Sequence, residues 1–268
     1  MAYRTGKNHH LAKKSYGQHF LTNEAYASQI AKSIRPQNDA NNVLEIGPGR
    51  GFLTKYLVQQ PFQLRVVEAD ADMVRYLQKN YPELEDRIIF LDFLKVSLER
   101  VFEGQEFTII GNFPYNISSQ ILIKMINSHA LVPEMVGMFQ KEVAERVIAP
   151  PGSKTYGVIS VLVQAFYTGE MLFTVGPVHF NPPPKVQSAV IRLTRKKDTS
   201  LGCDERTFRH VVKAAFNQRR KMLRNTLKGL VMEEDCLTDP YFNQRPEQLS
   251  VQDFVYIVNT LEPFLKKT

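Results

Sequence analysis

Val43-Leu44-Glu45-Ile46-Gly47-Pro48-Gly49-Arg50-Gly51 decides how the rest of the chain is read. Four residues of strand character run into a glycine cluster, and Phe52 to Val58 then reads as a helix. Strand, glycine-rich turn and helix form the first unit of a nucleotide-binding α/β sheet, where glycines let main chain and ligand approach closely. Leu64-Arg65-Val66-Val67 reads as a second strand leading into Glu68. A carboxylate at that carboxyl end is suited to accept both hydroxyls of a ribose.

Glycine spacing separates two cofactor classes. The dinucleotide pattern G-x-G-x-x-G needs its third glycine at position 52, which is Phe52. The form present, G-x-G-x-G after the acidic strand end at Glu45, suits a ligand with no phosphate, an amino-acid tail and a sulfonium, namely S-adenosyl-L-methionine. Ile88-Ile89-Phe90-Leu91 reads as a third strand, followed by Asp92. Asp92 either accepts a hydrogen bond from an adenine amino group, with Phe93 over the ring, or caps the next turn. Phe107, Ile109 and Ile110 mark a fourth strand, after which comes Asn112-Phe113-Pro114-Tyr115.

That tetrapeptide reads as a grip on an exocyclic amine. Asn112 offers a side-chain carbonyl, Pro114 biases Phe113 towards an extended backbone, and Tyr115 offers a ring for stacking. Two acceptors taking both amine hydrogens pull the nitrogen lone pair out of conjugation and aim it at an electrophile, so positioning does the catalytic work. Gly47, Glu68, Asp92 and Asn112 all fall just past consecutive strands, the edge at which open α/β sheets bind ligands.

The chain has 268 residues, a net charge of +7 and a hydrophobic fraction of 43%, which fits a globular protein with a polyanionic partner. Cys203 and Cys236 are its only cysteines and match neither a zinc spacing nor a disulfide framework, so a cytoplasmic protein without a metal is expected. No apolar run is long enough for a bilayer, and no membrane association is expected. From Tyr3 to Tyr16 the chain is basic and lacks an apolar period, either an arm that meets phosphate or a solvated tail.

Outside the strand ends, Ala25 to Ile34, Ser119 to Ile126 and Tyr156 to Ala165 carry helical spacing, while Met135 to Phe139, Glu170 to Val175 and Ser188 to Leu193 read as further strands. Phe180, in the proline-stiffened loop before Asn181-Pro182-Pro183-Pro184, is either a second aromatic jaw opposite Tyr115 or a core residue. Residues 1–196 are expected to form the α/β domain. Residues 197–268 are expected to form a small all-α domain with a basic stripe along Arg209, Lys213, Arg220, Arg224 and Lys228, on one helix or two.

Five ordered motifs, covering nearly the whole chain, resemble the ribosomal RNA adenine dimethyltransferases. They are Gly17-Gln18-His19-Phe20-Leu21, Glu45 to Gly49, Asn112 to Ser118, Asn181 to Val186, and Phe216-Asn217-Gln218-Arg219-Arg220-Lys221. The resemblance implies a class I S-adenosyl-L-methionine-dependent methyltransferase of Rossmann-like fold with a helical C-terminal domain. It implies dimethylation of N6 on two adjacent adenines near the 3′ end of 16S ribosomal RNA, within the small ribosomal subunit, by a monomeric enzyme of subunit biogenesis. Cofactor positions are then His19, Leu21, Glu45, Gly47, Gly49, Glu68, Asp92 and Asn112. Asn112, Phe113, Pro114, Tyr115 and Phe180 hold the target base, and Arg195, Lys196, Arg219, Arg220, Lys221 and Arg224 face RNA. The family usually has Asn where this chain has His19, and Leu where it has Phe113. The competing expectations are a methyltransferase acting on large-subunit RNA or DNA, and an assembly or transcription factor of the same fold with little turnover.

Overall fold

The computed structural model describes residues 19–35 and 41–266, so the basic arm, Gly17, Gln18 and Pro36 lie outside the described residues. Its centre is a seven-stranded sheet of order β4-β3-β2-β5-β6-β9-β7. The strands are β2 (Asn42–Ile46), β3 (Gln63–Glu68), β4 (Ile88–Phe90), β5 (Thr108–Asn112), β6 (Glu134–Gln140), β7 (Tyr167–Val175) and β9 (Ser188–Arg195). β4 to β6 pair in parallel through β3, β2 and β5, whereas β9 is antiparallel to both β6 and β7. The chain leaves β2 for β3 on one side and later returns to place β5 on the other. This topological switch point opens a crevice at the carboxyl ends of the strands.

Helices cover both faces because the parallel strands are apolar on both sides, β2 being buried along its whole length. On one face lie α1 (Glu24–Ala31), α2 (Thr54–Leu57) and α3 (Ala71–Asn80), whose Ile30, Leu57 and Leu77 share a core with Val43 and Val66. On the other lie α4 (Leu98–Val101), α5 (Ser118–Asn127), α6 (Lys141–Ile148) and α7 (Val158–Phe166). The same core continues into α8 (Glu205–Phe216), α9 (Leu223–Leu227) and α10 (Val251–Leu261) through Phe208, Leu223 and Phe254. The basic stripe is therefore divided: Arg209 and Lys213 lie on α8, which Asn217 caps, Arg220 in the turn that follows, Arg224 on α9 and Lys228 at its end.

α1 ends at Ala31, earlier than the apolar spacing to Ile34 indicates, because after the Lys32 amide bonds Ser28 the Ser33 amide tightens onto the Ile30 carbonyl and closes the last turn. α2 is likewise shorter than Phe52 to Val58, since the glycine turn continues to Leu53. Outside the main sheet, β1 (Phe20–Leu21) pairs antiparallel with β8 (Phe180–Asn181), a two-residue ribbon. No helix among the described residues is long and apolar enough to cross a membrane.

Candidate active site

At the switch point a pocket of about 550 Å³ is lined by residues from four strand ends and from the segment before β1. The turn after β2 supplies Gly47 and Gly49, whose φ angles of +65° and +55° fall in the left-handed region where glycine carries no penalty. Gly49 is also tightly packed, as a Cβ there would sit 2.9 Å from Cε1 of Phe20.

Glu68 ends β3 and is 6% exposed. Its Oε2 accepts the Gly49 amide at 3.0 Å, and its Oε1 accepts the amides of Ala69 and Asp70, both at 2.9 Å. Burial raises its pKa, and the amide bonds pull the other way. Three donors on a carboxylate with about four acceptor positions hold its plane still and leave capacity for a ligand hydroxyl. Asp92 follows β4 and lines the same pocket. Its Oδ1 accepts the Leu94 amide at 2.9 Å, so it caps the 3-10 turn Phe93–Lys95 and also faces the cavity. The cap leaves Oδ2 as a further acceptor on the pocket wall.

Asn112 is the last residue of β5, and its Nδ2 donates to the His19 main-chain oxygen at 3.0 Å. A carbonyl can only accept, so the amide nitrogen is fixed on that side and Oδ1 is left as the acceptor. Phe113 places its ring in the core, 1% exposed and edge-on to Phe139 at 5.1 Å between centroids. Room for Phe in place of Leu comes from Gly137, where a Cβ would approach the Phe113 ring to 2.3 Å. Pro114 leads into the 3-10 turn Tyr115–Ile117. The Tyr115 hydroxyl shares a 2.7 Å hydrogen bond with Ser188 Oγ, and burial raises its pKa. The Tyr115 ring stacks on His19 at 5.3 Å, while the His19 Nδ1–H donates to the Pro182 carbonyl at 2.8 Å.

Three expected site residues do not face this pocket. Phe180 is 4% exposed and its ring joins Leu21 and Val190 in the core, so it presents no second jaw to a base. Leu21 is 5% exposed, paired with Phe180, and with Glu45 lines a smaller adjoining recess behind the glycine turn. Glu45 is fully enclosed, bonded by the Thr54 hydroxyl at 2.7 Å, and burial lifts its pKa to about 8. It braces the turn from beneath. Conversely, Phe20, Ala69, Phe90 and Leu91 line the pocket without having been anticipated. Phe90 and Leu91 are 58% and 40% exposed, an unusual cost for apolar residues at a strand end, and position next to Asp92 was the available signal.

Among the expected RNA contacts, Arg195 donates to the carbonyls of His129 and Ala130 and pairs with Glu106. Lys196 donates to the Gln164 carbonyl, and Arg219 to those of Ser153 and Lys154. These three charges are turned onto the protein. Arg220, Lys221 and Arg224 are exposed and line one concave surface with Arg245.

Residues 9–262 match the family described as ribosomal RNA adenine dimethylase. The chain belongs to that family. It is 52% identical over 255 residues to the ribosomal RNA small subunit methyltransferase A of Phocaeicola vulgatus, covering 95% of this chain and 91% of that protein. To the protein of the same name from Bacteroides fragilis it is 53% identical, covering 95% and 93%. In fold it is similar to a dimethyladenosine transferase from Plasmodium falciparum, with a TM-score of 0.77 and 23% identity over 91% of this chain and 98% of the other. It is also similar to the 23S rRNA methyltransferase ErmE, with a TM-score of 0.66 and 21% identity over 91% and 99%.

The pocket fits the family's cofactor, S-adenosyl-L-methionine. A carboxylate held by amides stands at one strand end, a second carboxylate flanked by Phe90, Leu91 and Phe93 at the next, and Gly47 and Gly49, in the left-handed region, leave main chain without side chains on the pocket wall.

Proposed function

We infer that this chain dimethylates N6 of two adjacent adenines near the 3′ end of 16S ribosomal RNA in the small ribosomal subunit. The observation that carries the mechanism is the fixed amide of Asn112, with Oδ1 as its acceptor, at the end of β5 and on the wall of the cofactor pocket. S-adenosyl-L-methionine supplies an electrophilic methyl group when bound. Glu68 would hold the ribose hydroxyls, Asp92 would accept from the adenine amine with Phe93 beside it, and the main chain at Gly47 and Gly49 would admit the methionine end beside His19.

The target adenine is flipped out of its RNA stack and meets the Tyr115 ring, which Ser188 and His19 hold in place. Asn112 Oδ1 and the Phe113 carbonyl accept both hydrogens of N6, so the nitrogen lone pair turns towards the methyl group. Attack by N6 would form the N–CH3 bond as the S–CH3 bond breaks, releasing S-adenosylhomocysteine, and the methylated nitrogen would give its proton to water. The protein's part is to remove the conjugation, and no side-chain general base is required. Product with one methyl can turn its remaining N–H to one acceptor for the second transfer.

The RNA is held by residues 197–268, with Arg220, Lys221 and Arg224 against phosphates, while residues 1–196 carry the chemistry. The enzyme works as a cytoplasmic monomer on the small ribosomal subunit. Labelled methyl transfer into unmethylated small subunits, free 16S RNA, large subunits and DNA, with mapping of the modified base, tests this reading. Label in two adjacent adenines of the small-subunit RNA is expected; label confined to large-subunit RNA or DNA, or no label at all, overturns it.

A further inference from the structure

Lys124 lies on α5, the helix that begins three residues after Tyr115, and its ammonium reaches back across to the turn after β4. Nζ donates to the Leu94 carbonyl at 2.9 Å and to the Val96 carbonyl at 2.6 Å. It also stands 5.2 Å from the centre of the Phe93 ring, which is 3% exposed and lines the pocket. Leu94 is thus gripped from both sides: its N–H is taken by Asp92 Oδ1, and its C=O by Lys124.

Within the turn the Lys95 amide donates to the Asp92 carbonyl and the Val96 amide to that of Phe93, whose ring is in the core, while the carbonyls of Leu94 and Val96 take their side-chain donor from Lys124. That donor is a half-buried lysine with two main-chain acceptors and an aromatic face. Burial lowers its pKa from the usual lysine value, with the nearby Asp92 charge acting in the opposite direction. Placing an ammonium in such a site is unfavourable unless its hydrogen bonds return the loss, and both of them go to the turn that carries Asp92. An exposed surface lysine would face no such constraint.

We propose that Lys124 is a positioning residue: by tying down the turn that bears Asp92, it sets the pocket's preference for a 6-amino purine over a purine lacking that amine. The proposal rests on the reading that Asp92 accepts from the adenine amine. Asp92 discriminates only if its second oxygen is held where the amine hydrogen arrives, and without Lys124 the Leu94 and Val96 carbonyls lose their donor, so the turn and its cap relax together. Since α5 starts at the base-binding tetrapeptide, one rigid helix registers the adenine end of the cofactor site against the substrate end.

The test is calorimetric binding of S-adenosylhomocysteine and of S-inosylhomocysteine, in which oxygen replaces the 6-amine, to the full-length wild-type chain and to Asp92→Ala, Lys124→Met and Lys124→Arg. The ratio of the two dissociation constants is read, because any fraction of misfolded protein cancels from it. Wild type should prefer the adenosyl ligand about tenfold or more, as expected for a site built around one hydrogen-bonded amine. Asp92→Ala and Lys124→Met should both bring the ratio to within about threefold of unity, and Lys124→Arg, which keeps a donor for the carbonyls, should restore most of it. A wild-type ratio in Lys124→Met, with the ratio lost in Asp92→Ala, overturns the role of Lys124 and leaves that of Asp92 standing. A ratio retained in Asp92→Ala overturns the Asp92 reading and the proposal with it.

Discussion

The side-chain nitrogen of Asn112 donates to the main-chain oxygen of His19, and this single 3.0 Å bond decides that the amide's oxygen is left as the acceptor on the pocket wall. A residue at the end of β5 is thereby oriented by a residue 93 positions earlier in the chain. Asn112→Ala should lower kcat by about 100- to 1000-fold, the range seen when one oriented polar group is removed from a site that works by positioning. Affinity for S-adenosylhomocysteine should change by less than about tenfold, since Glu68 and Asp92 remain. Single-turnover methyl transfer and calorimetry on the same preparation check the pair of values; unchanged turnover would remove Asn112 from the mechanism.

Phe180 separates a clamp from a core residue. Its ring is enclosed with Leu21 and Val190, so Phe180→Ala should destabilise the protein by about 3–5 kcal/mol. Phe180→Leu keeps most of the volume and should retain methyl transfer within about threefold of wild type, with a cost below about 1.5 kcal/mol. Denaturant melts alongside turnover distinguish the cases, because an aromatic jaw would lose activity in both variants.

Glu45 makes stability depend on pH. Its carboxyl has a pKa near 8 in the fold against an ordinary 4.5, because burial disfavours its charge. Between those values the folded state keeps a proton that the unfolded chain releases, so stability falls as pH rises through that window. Glu134, lifted to about 7 by burial despite Arg192, acts in the same direction. Glu45→Gln removes the larger part, and the loss of unfolding free energy between pH 5 and pH 8 should shrink by about 2–4 kcal/mol, at 1.36 kcal/mol for each pKa unit. Urea melts at the two pH values measure this; an equal loss in both proteins would mean that Glu45 is ionised in the fold.

Salt dependence sorts the basic residues. Arg220 and Arg224 are exposed on the concave surface, so replacing both with Ala should reduce the slope of log affinity for small subunits against log salt by about 1–2. Arg195→Ala should leave the slope unchanged and lower the unfolding midpoint, since its guanidinium bridges Glu106 to two carbonyls of the loop before β6. An unaltered slope in the double variant would take this surface out of the RNA site.

Gly49→Ala tests the turn. The new methyl group would press on Phe20, whose ring also carries the Arg50 guanidinium at 5.0 Å, and the residue would keep a left-handed backbone at a penalty of about 1–2 kcal/mol. S-adenosylhomocysteine should bind about tenfold more weakly, a figure that the same strain sets when it falls on the bound state. Calorimetry reads it directly, and wild-type affinity would show that the turn yields freely.

Much of this site was legible before any coordinates because its residues sit at the ends of short apolar runs. Gly47, Glu68, Asp92 and Asn112 each interrupt a strand pattern with a residue whose chemistry suits one part of an adenosyl ligand, and the sheet brings those ends together. Phe180 and Leu21 were not separable from ligand contacts, since an aromatic beside three prolines reads the same whether it turns in or out. β1 and β8 have only two residues each, too few for alternation to register. Charge gave no sign of the inward turn of Arg195 and Lys196, because most of their partners are main-chain carbonyls, which every residue has, and the one carboxylate, Glu106, lies 89 positions from Arg195. Lys124 was hidden for the same reason. Its helix was recognised, but its two acceptors belong to a turn 28 and 30 positions away.

The ribbon of β1 and β8 gives the site a place in time as well as in space. His19, which orients Asn112 and backs Tyr115, is itself tied to Pro182, 163 residues further along the chain. Closing so long a span is entropically expensive and precedes any reward from the contact. As the chain leaves the ribosome that makes it, the strand ends can gather while His19 still lacks its partner. The bond that steadies His19 beside Asn112 and Tyr115 therefore becomes available only once Pro182 has been added, before β9 completes the sheet.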